Sequence, residues 1–309
     1  LETTCLAETS NPLDADRAMQ YLRQICDLGP RISGTPGMER QRELLTAHFE
    51  ALGATVSTQS FLARNPLGGP RVPMTNLIVT WHPDRDQRIL LCAHYDTRPL
   101  PDRDPNPIRA RNGTFLGAND GGSGTALLME LGHLMPELRG EFGVDFVFFD
   151  GEELVYNDRT DPYFWGSTWF AKQYAKRPPN HRYRWGVLLD MVGDRNLEVF
   201  QERFSARWRD TKPLVAQIWS QAAELGIGEF HAKPKHLVRD DHVPLRNEAG
   251  IPTCNIIDFD YPHWHTERDV PANCSGASMA KVGWVVYEWL RSLDNGSSPG
   301  SIGSDSAGE

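Results

Sequence analysis

"VDFVFFDGEELVYND", residues 144–158, decides how this chain is read. Val144, Phe146, Val147, Phe148 and Phe149 are β-branched or aromatic and predict a buried strand. The strand runs into three acids within four residues, Asp150, Glu152 and Glu153. Adjacent carboxylates at the mouth of an apolar strand are penalised by desolvation and by mutual repulsion. A metal ion, or a proton-transfer task for one of them, offsets that penalty.

Working outward, "ATVSTQSF", "TNLIVTWH", "RILLCAHYD", "WGVLLDMVGD", "LEVFQE" and "IPTCNIIDFD" also have strand character. Segments with helical apolar spacing separate several of them: "GTALLMELGHLM", "GSTWFAKQYA", "KPLVAQIWSQAAELG" and "ASMAKVGWVVYEWLRSL". Two further helices are expected near the start, in "DADRAMQYLRQICDLG" and in the segment closing at Gly53. This alternation predicts a single α/β domain with a central, mostly parallel, twisted sheet and helices on both faces. Its active site is expected at the carboxyl ends of the strands. The domain is expected over 13–292, after an irregular segment 1–12 and before a flexible Gly/Ser-rich tail, 293–309.

The 309 residues carry a formal net charge of −9 with scattered Lys and Arg, which argues against a nucleic-acid partner. No apolar run is long enough to span a membrane. None of the five cysteines forms a CxxC pair, so a thiolate zinc site is not expected. Cys26, Cys92 and Cys254 read as buried small hydrophobes, while Cys5 and Cys274 are left either paired or free. The chain begins at Leu1 rather than Met, and export is expected in preference to the cytoplasm.

Polar residues with chemical potential fall at or just after strand ends: His94, Asp120, Glu152, Glu153, Asp190 and His265. Each has an ordinary explanation on its own. His94 could be a hydrogen-bonded core histidine, Asp120 a helix cap, and Asp190 a turn residue. Together, two histidines and three or four carboxylates make the oxygen and nitrogen site that zinc uses in catalysis. Asp240, Asp241 and His242 form a further polar run, for which the simplest reading is an Asp–His hydrogen bond pinning a loop.

In their order, His94, Asp120, Glu152–Glu153, Asp190 and His265 resemble the pattern of the zinc aminopeptidase superfamily. Within it the chain is most similar to the animal-type glutaminyl cyclases, the glutaminyl-peptide cyclotransferases. The similarity lies in "HYD", in the loop of "EELVYNDRTDPYFWGS", in the extra Asp of "DDH" and in the Trp of "HWHT". It covers roughly residues 14–292. Two features depart from the cyclases. "GANDGGSG" is closer to the peptidase loop, and Asp158 stands where cyclases carry a pocket tryptophan, with Tyr156 or Trp165 as candidates to replace it.

The resemblance implies zinc on Asp120, Glu153 and His265. It implies that Glu152 is the general acid/base, and that Asp190 and Asp240 are its proton-sharing partners. One zinc per chain is expected, because Asp190, Glu152 and Asp240 would share protons in place of a second metal. Trp264 and Tyr261 are implied as pocket walls. His94 is either a hydrogen-bonding residue beside the zinc or a ligand to a second metal. The implied reaction converts N-terminal Gln of peptides, and weakly Glu, to pyroglutamate. The implied partners are peptide or protein N-termini, and the chain is expected to be a monomer. The alternatives are a two-metal aminopeptidase and a non-catalytic metal-binding module. A free Glu152 counts against the module.

Overall fold

The computed structural model describes residues 10–293. The segment 1–9, with Cys5, and the tail beyond 293 lie outside the described residues. The helices are α1 (Ala15–Asp27), α2 (Pro36–Ala51), α3 (Pro107–Asn112), α4 (Gly122–Gly132), α5 (Trp165–Lys176), α6 (Arg203–Arg207), α7 (Lys212–Glu224), α8 (His242–Ala249) and α9 (Gly276–Ser292). The strands are β1 (Thr55–Ala63), β2 (Val72–Trp81), β3 (Gln87–His94), β4 (Phe142–Phe149), β5 (Arg182–Asp190), β6 (Val199–Gln201), β7 (Phe230–Pro234) and β8 (Thr253–Ile257).

Six strands form one sheet in the order β1-β2-β4-β3-β5-β8. The four strands β4, β3, β5 and β8 are parallel, while the edge strand β1 pairs antiparallel with β2, and β2 antiparallel with β4. The sheet is therefore mixed at one edge rather than parallel throughout. "ARNPLGGPR", between β1 and β2, is the turn-rich connection such a hairpin uses. β6 and β7 form a separate two-stranded ribbon.

Both faces of the parallel strands are covered, which is why β3 and β4 read as unbroken apolar runs rather than alternating ones. Ile89, Leu91 and Ala93 of β3 join the larger core, packed against α1, α2, α4, α7 and α9. Leu90 and Cys92 face the other way, into a smaller core under α5 and α8. Arg17 on α1 donates to both oxygens of buried Glu130 on α4 at 2.7 Å, tying those helices together. Cys26, Cys92 and Cys254 are buried as expected, and Cys274 is buried with a free thiol. No described helix is long and apolar enough to cross a membrane.

Candidate metal and active site

The register of the parallel strands delivers the polar residues to one rim. His94 ends β3 beside Phe149, the last residue of β4, and Asp190 ends β5 beside Ile257, the last of β8. After β4 the chain turns sharply through Gly151, at φ +80°, where a side chain would strike the sulfur of Met74. That turn brings Glu152 and Glu153 back over the strand ends. The carboxylate of Asp96, just past β3, accepts both of their backbone N–H groups, at 3.1 and 2.9 Å. Asp120 sits ahead of α4, and His265 in the loop after β8.

Two sets of ligand atoms result, each drawn together within 4.8 Å: Asp120, Glu153 and His265, and His94, Asp120 and Asp190. In the first set, His265 Nε2 lies 3.3 Å from both Asp120 Oδ2 and Glu153 Oε1. In the second, His94 Nε2 lies 3.1 Å from Asp120 Oδ1 and 3.3 Å from Asp190 Oδ1. Asp120 is shared, one oxygen to each set. The first set suits zinc on two counts. Asp120 Oδ2 and His265 Nε2 are buried with no hydrogen-bond partner among the described residues. Tetrahedral zinc with bonds of about 2.1 Å also sets neighbouring ligand atoms roughly 3.4 Å apart. Three protein ligands leave a fourth position open, which a closed structural site would fill.

Glu152 stands beside this set. Burial, and then the charge of Glu153, pushes its carboxyl well above the usual range; His94 pulls it back, and Asp240 and Asp241 push further. Burial also disfavours ionisation of Glu153, but the charges of His265 and Arg98 outweigh it and hold Glu153 well below the usual range. The neighbouring glutamates are thus pushed in opposite directions, Glu152 toward holding a proton and Glu153 toward its anion, the arrangement acid–base sites use. Burial lifts Asp190 to about 7, with the hydrogen bond from His94 only partly offsetting it. Burial likewise raises Asp240, against the pull of His242 and His94.

Asp120, Glu152, Glu153, Asp190, Asp240 and His265 all line one cavity of about 270 Å³. Trp264 forms part of its wall, its ring centred 4.1 Å from that of His265. Tyr261 does not line it: its hydroxyl turns inward and donates to Asp269 at 2.9 Å. At the position of the missing tryptophan, neither Tyr156 nor Trp165 reaches the cavity. Tyr156 is largely exposed, and Trp165 packs beside Phe61, Met74 and Leu154. Tyr163 and Phe164 line the wall there instead.

Residues 76–290 match the profile of peptidase family M28. The chain belongs to this family. Among solved structures, the glutaminyl cyclase of Fimbriiglobus ruber is 44% identical over 92% of this chain and 96% of its own, with a TM-score of 0.87. A Zn-dependent exopeptidase of Parabacteroides distasonis is 30% identical over 91% of this chain and 99% of its own, with a TM-score of 0.84. The glutaminyl-peptide cyclotransferase of the snake Gloydius blomhoffii is 25% identical over 94% of this chain and 84% of its own. The resemblance to glutaminyl cyclases read from the sequence therefore stands, inside an M28 family that also holds exopeptidases.

Several supports of this M28 site carry no local signal in the sequence. Arg98, buried, places Nη1 3.2 Å from Glu153 Oε2, so the second oxygen of that glutamate is held away from His265. Its Nη2 binds Asp102 at 2.8 Å and also Asp158. Asp102 in turn lies 3.1 Å from His265 Nδ1. Asp269 accepts the backbone N–H groups of Asn119 and Asp120, at 2.7 and 3.1 Å, and so fixes the Asp120 loop. The only visible hint was the alternation of charge in "TRPLPDRDP". The Asp–His hydrogen bond expected within "DDH" is not formed. His242 lies 3.3 Å from Glu202 Oε2, Asp240 accepts from Asn255 at 2.8 Å, and Asp241 accepts from the Ser167 hydroxyl.

Proposed function

We propose that this M28 protein is a zinc-dependent glutaminyl-peptide cyclotransferase, closing N-terminal Gln, and weakly Glu, to pyroglutamate. The observation that carries the reading is Glu152: a buried carboxyl lining a small cavity beside, but outside, the three-ligand set. Similarity to several glutaminyl cyclases supports it.

Asp120, Glu153 and His265 would hold one zinc, which when bound supplies a Lewis acid for the γ-carbonyl oxygen of the substrate glutamine. The substrate's α-nitrogen bonds to the carbonyl carbon of its own side-chain amide, closing a five-membered lactam, and the bond from that carbon to the amide nitrogen breaks to release ammonia. Glu152 takes the proton that the α-amine loses and returns it to the departing nitrogen. Asp190 and Asp240 share protons with Glu152, so the pocket need not carry three full negative charges. Trp264, Phe164 and Tyr163 enclose the one residue that reacts, and this positioning supplies much of the rate of an intramolecular closure. His94 is proposed as a hydrogen-bonding residue between Asp120 and Asp190 rather than as a metal ligand.

The second set, His94, Asp120 and Asp190, favours a second reading, a two-metal aminopeptidase. Ammonia release from a Gln-peptide, compared with amine release from a Leu-anilide, separates the two. Strong Leu-anilide hydrolysis with inert Gln-peptides sinks the cyclase reading. Metal analysis without added zinc tests the copy number, and two tightly held zincs per chain would favour the aminopeptidase.

A further inference from the structure

The mouth of the cavity carries two arginines, in a protein whose formal net charge is −9. Arg103 follows β3 and Arg239 precedes α8. The Arg103 guanidinium lies over Trp264, 4.3 Å from the ring centroid, and that of Arg239 lies over Phe164 at 6.0 Å. Both aromatic rings are cavity walls, so the two charges are steadied at its rim. Neither charge is fully spent. The ion-pair partner of Arg103 is Asp158 at 3.7 Å, and Asp158 is already engaged by Arg98 and by the Tyr163 hydroxyl at 2.6 Å. No carboxylate of the described residues comes within ion-pair distance of Arg239.

We propose that Arg103 and Arg239 select peptides with an acidic residue directly after the N-terminal Gln. This rests on the cyclase reading, which puts the first residue inside the cavity and leads the rest of the peptide out through its mouth. Successive Cα atoms are about 3.8 Å apart, so the second side chain is the first to reach the rim. There a carboxylate meets two guanidiniums able to pair with it in a planar fork. A lysine in the same place meets like charge and leaves the arginines unpaired.

The test is cyclisation of three short peptides, Gln-Gly, Gln-Glu and Gln-Lys, at low and high salt. Exposed ion pairs give modest energies, and attraction for one sign adds to repulsion for the other. The expected kcat/KM for Gln-Glu exceeds that for Gln-Lys by about fivefold or more. The ratio should shrink as salt screens the rim. Arg239→Gln should lower the ratio, and Arg239→Glu should reverse it; position 239 is exposed, so neither change threatens the fold. If Gln-Gly is cyclised but Gln-Glu and Gln-Lys react equally, the substrate inference fails alone. If Gln-Gly is not cyclised at all, the cyclase reading fails and takes the inference with it. A preference unmoved by Arg239→Glu would also overturn it.

Discussion

Glu152 and Glu153 are neighbours with opposite tasks, and single substitutions separate them. Glu152→Gln removes the proton carrier but no proposed ligand. Turnover should fall by roughly 10²–10⁴-fold while zinc per chain, measured by metal analysis, stays unchanged. Glu153→Gln should instead weaken the metal; loss of zinc in Glu152→Gln would mean the roles are exchanged. Asp102 gives a second test at this scale. It faces the Nδ1 of His265 and the guanidinium of Arg98, so its charge reaches two proposed ligands indirectly. Partners of this kind typically change metal affinity 10–100-fold. Asp102→Asn should therefore weaken zinc by about tenfold or more in chelator competition, with an unchanged far-ultraviolet spectrum. Wild-type affinity in that variant would make Asp102 a surface residue only.

The strand ends were legible in the sequence because each apolar run stops at a polar residue with a chemical use: His94, the Glu pair, Asp190. Strand direction was not legible, since a β1–β2 hairpin and a crossover share the same local pattern, and only the turn-rich link hints at the former. Helix α8 was also hidden: eight residues with Pro244 in the first turn give little periodicity, and its His242 finds Glu202, far away in sequence. Arg98 was missed for the same reason, as its partners come together only in the fold. Helix α4 shows how closely elements must approach. A methyl on Gly124 would meet the carbonyl oxygen of Leu189 at 2.1 Å and the Cβ of Ala93 at 3.1 Å. The entry to α4 is also tied to the segment after β5, where Asn119 and Ser123 accept from Gly193 and Val192 at 2.7 and 3.0 Å. Gly124→Ala should lift α4 from the sheet, destabilise the fold by about 1–3 kcal/mol, and weaken zinc through Asp120. Calorimetry with chelator competition would check both effects. A lowered melting point with intact zinc affinity would uncouple the helix from the site.

At the scale of the whole molecule, stability should depend on pH through carboxyls that lie away from the proposed ligands. Asp258, at the end of β8, is buried, and burial lifts its carboxyl to about 7, only partly offset by the N–H groups of Glu198 and Asp260. In the unfolded chain it would titrate near its ordinary value of 3.8. Between these two values the folded state binds more protons, so its contribution is fully present at acid pH and is lost as pH rises toward about 7. Asp258→Asn cannot titrate. Denaturant melts from pH 5 to 8 should show wild-type stability declining relative to the variant by about 2 kcal/mol. A constant difference across that range would show that Asp258 is already ionised when folded.

Four described residues other than glycine adopt a left-handed backbone: His82, Phe164, Met191 and His265. The last three line the cavity. Such conformations cost roughly 1–3 kcal/mol each and persist only where the surroundings impose them. A laboratory evolution campaign rewarding heat resistance alone would find glycine or asparagine attractive at those three positions. Each change would relax the backbone and at the same time remove a pocket wall or a proposed zinc ligand. Survivors of heating would be enriched in inactive enzyme, so a heat selection on this protein needs turnover as a second gate.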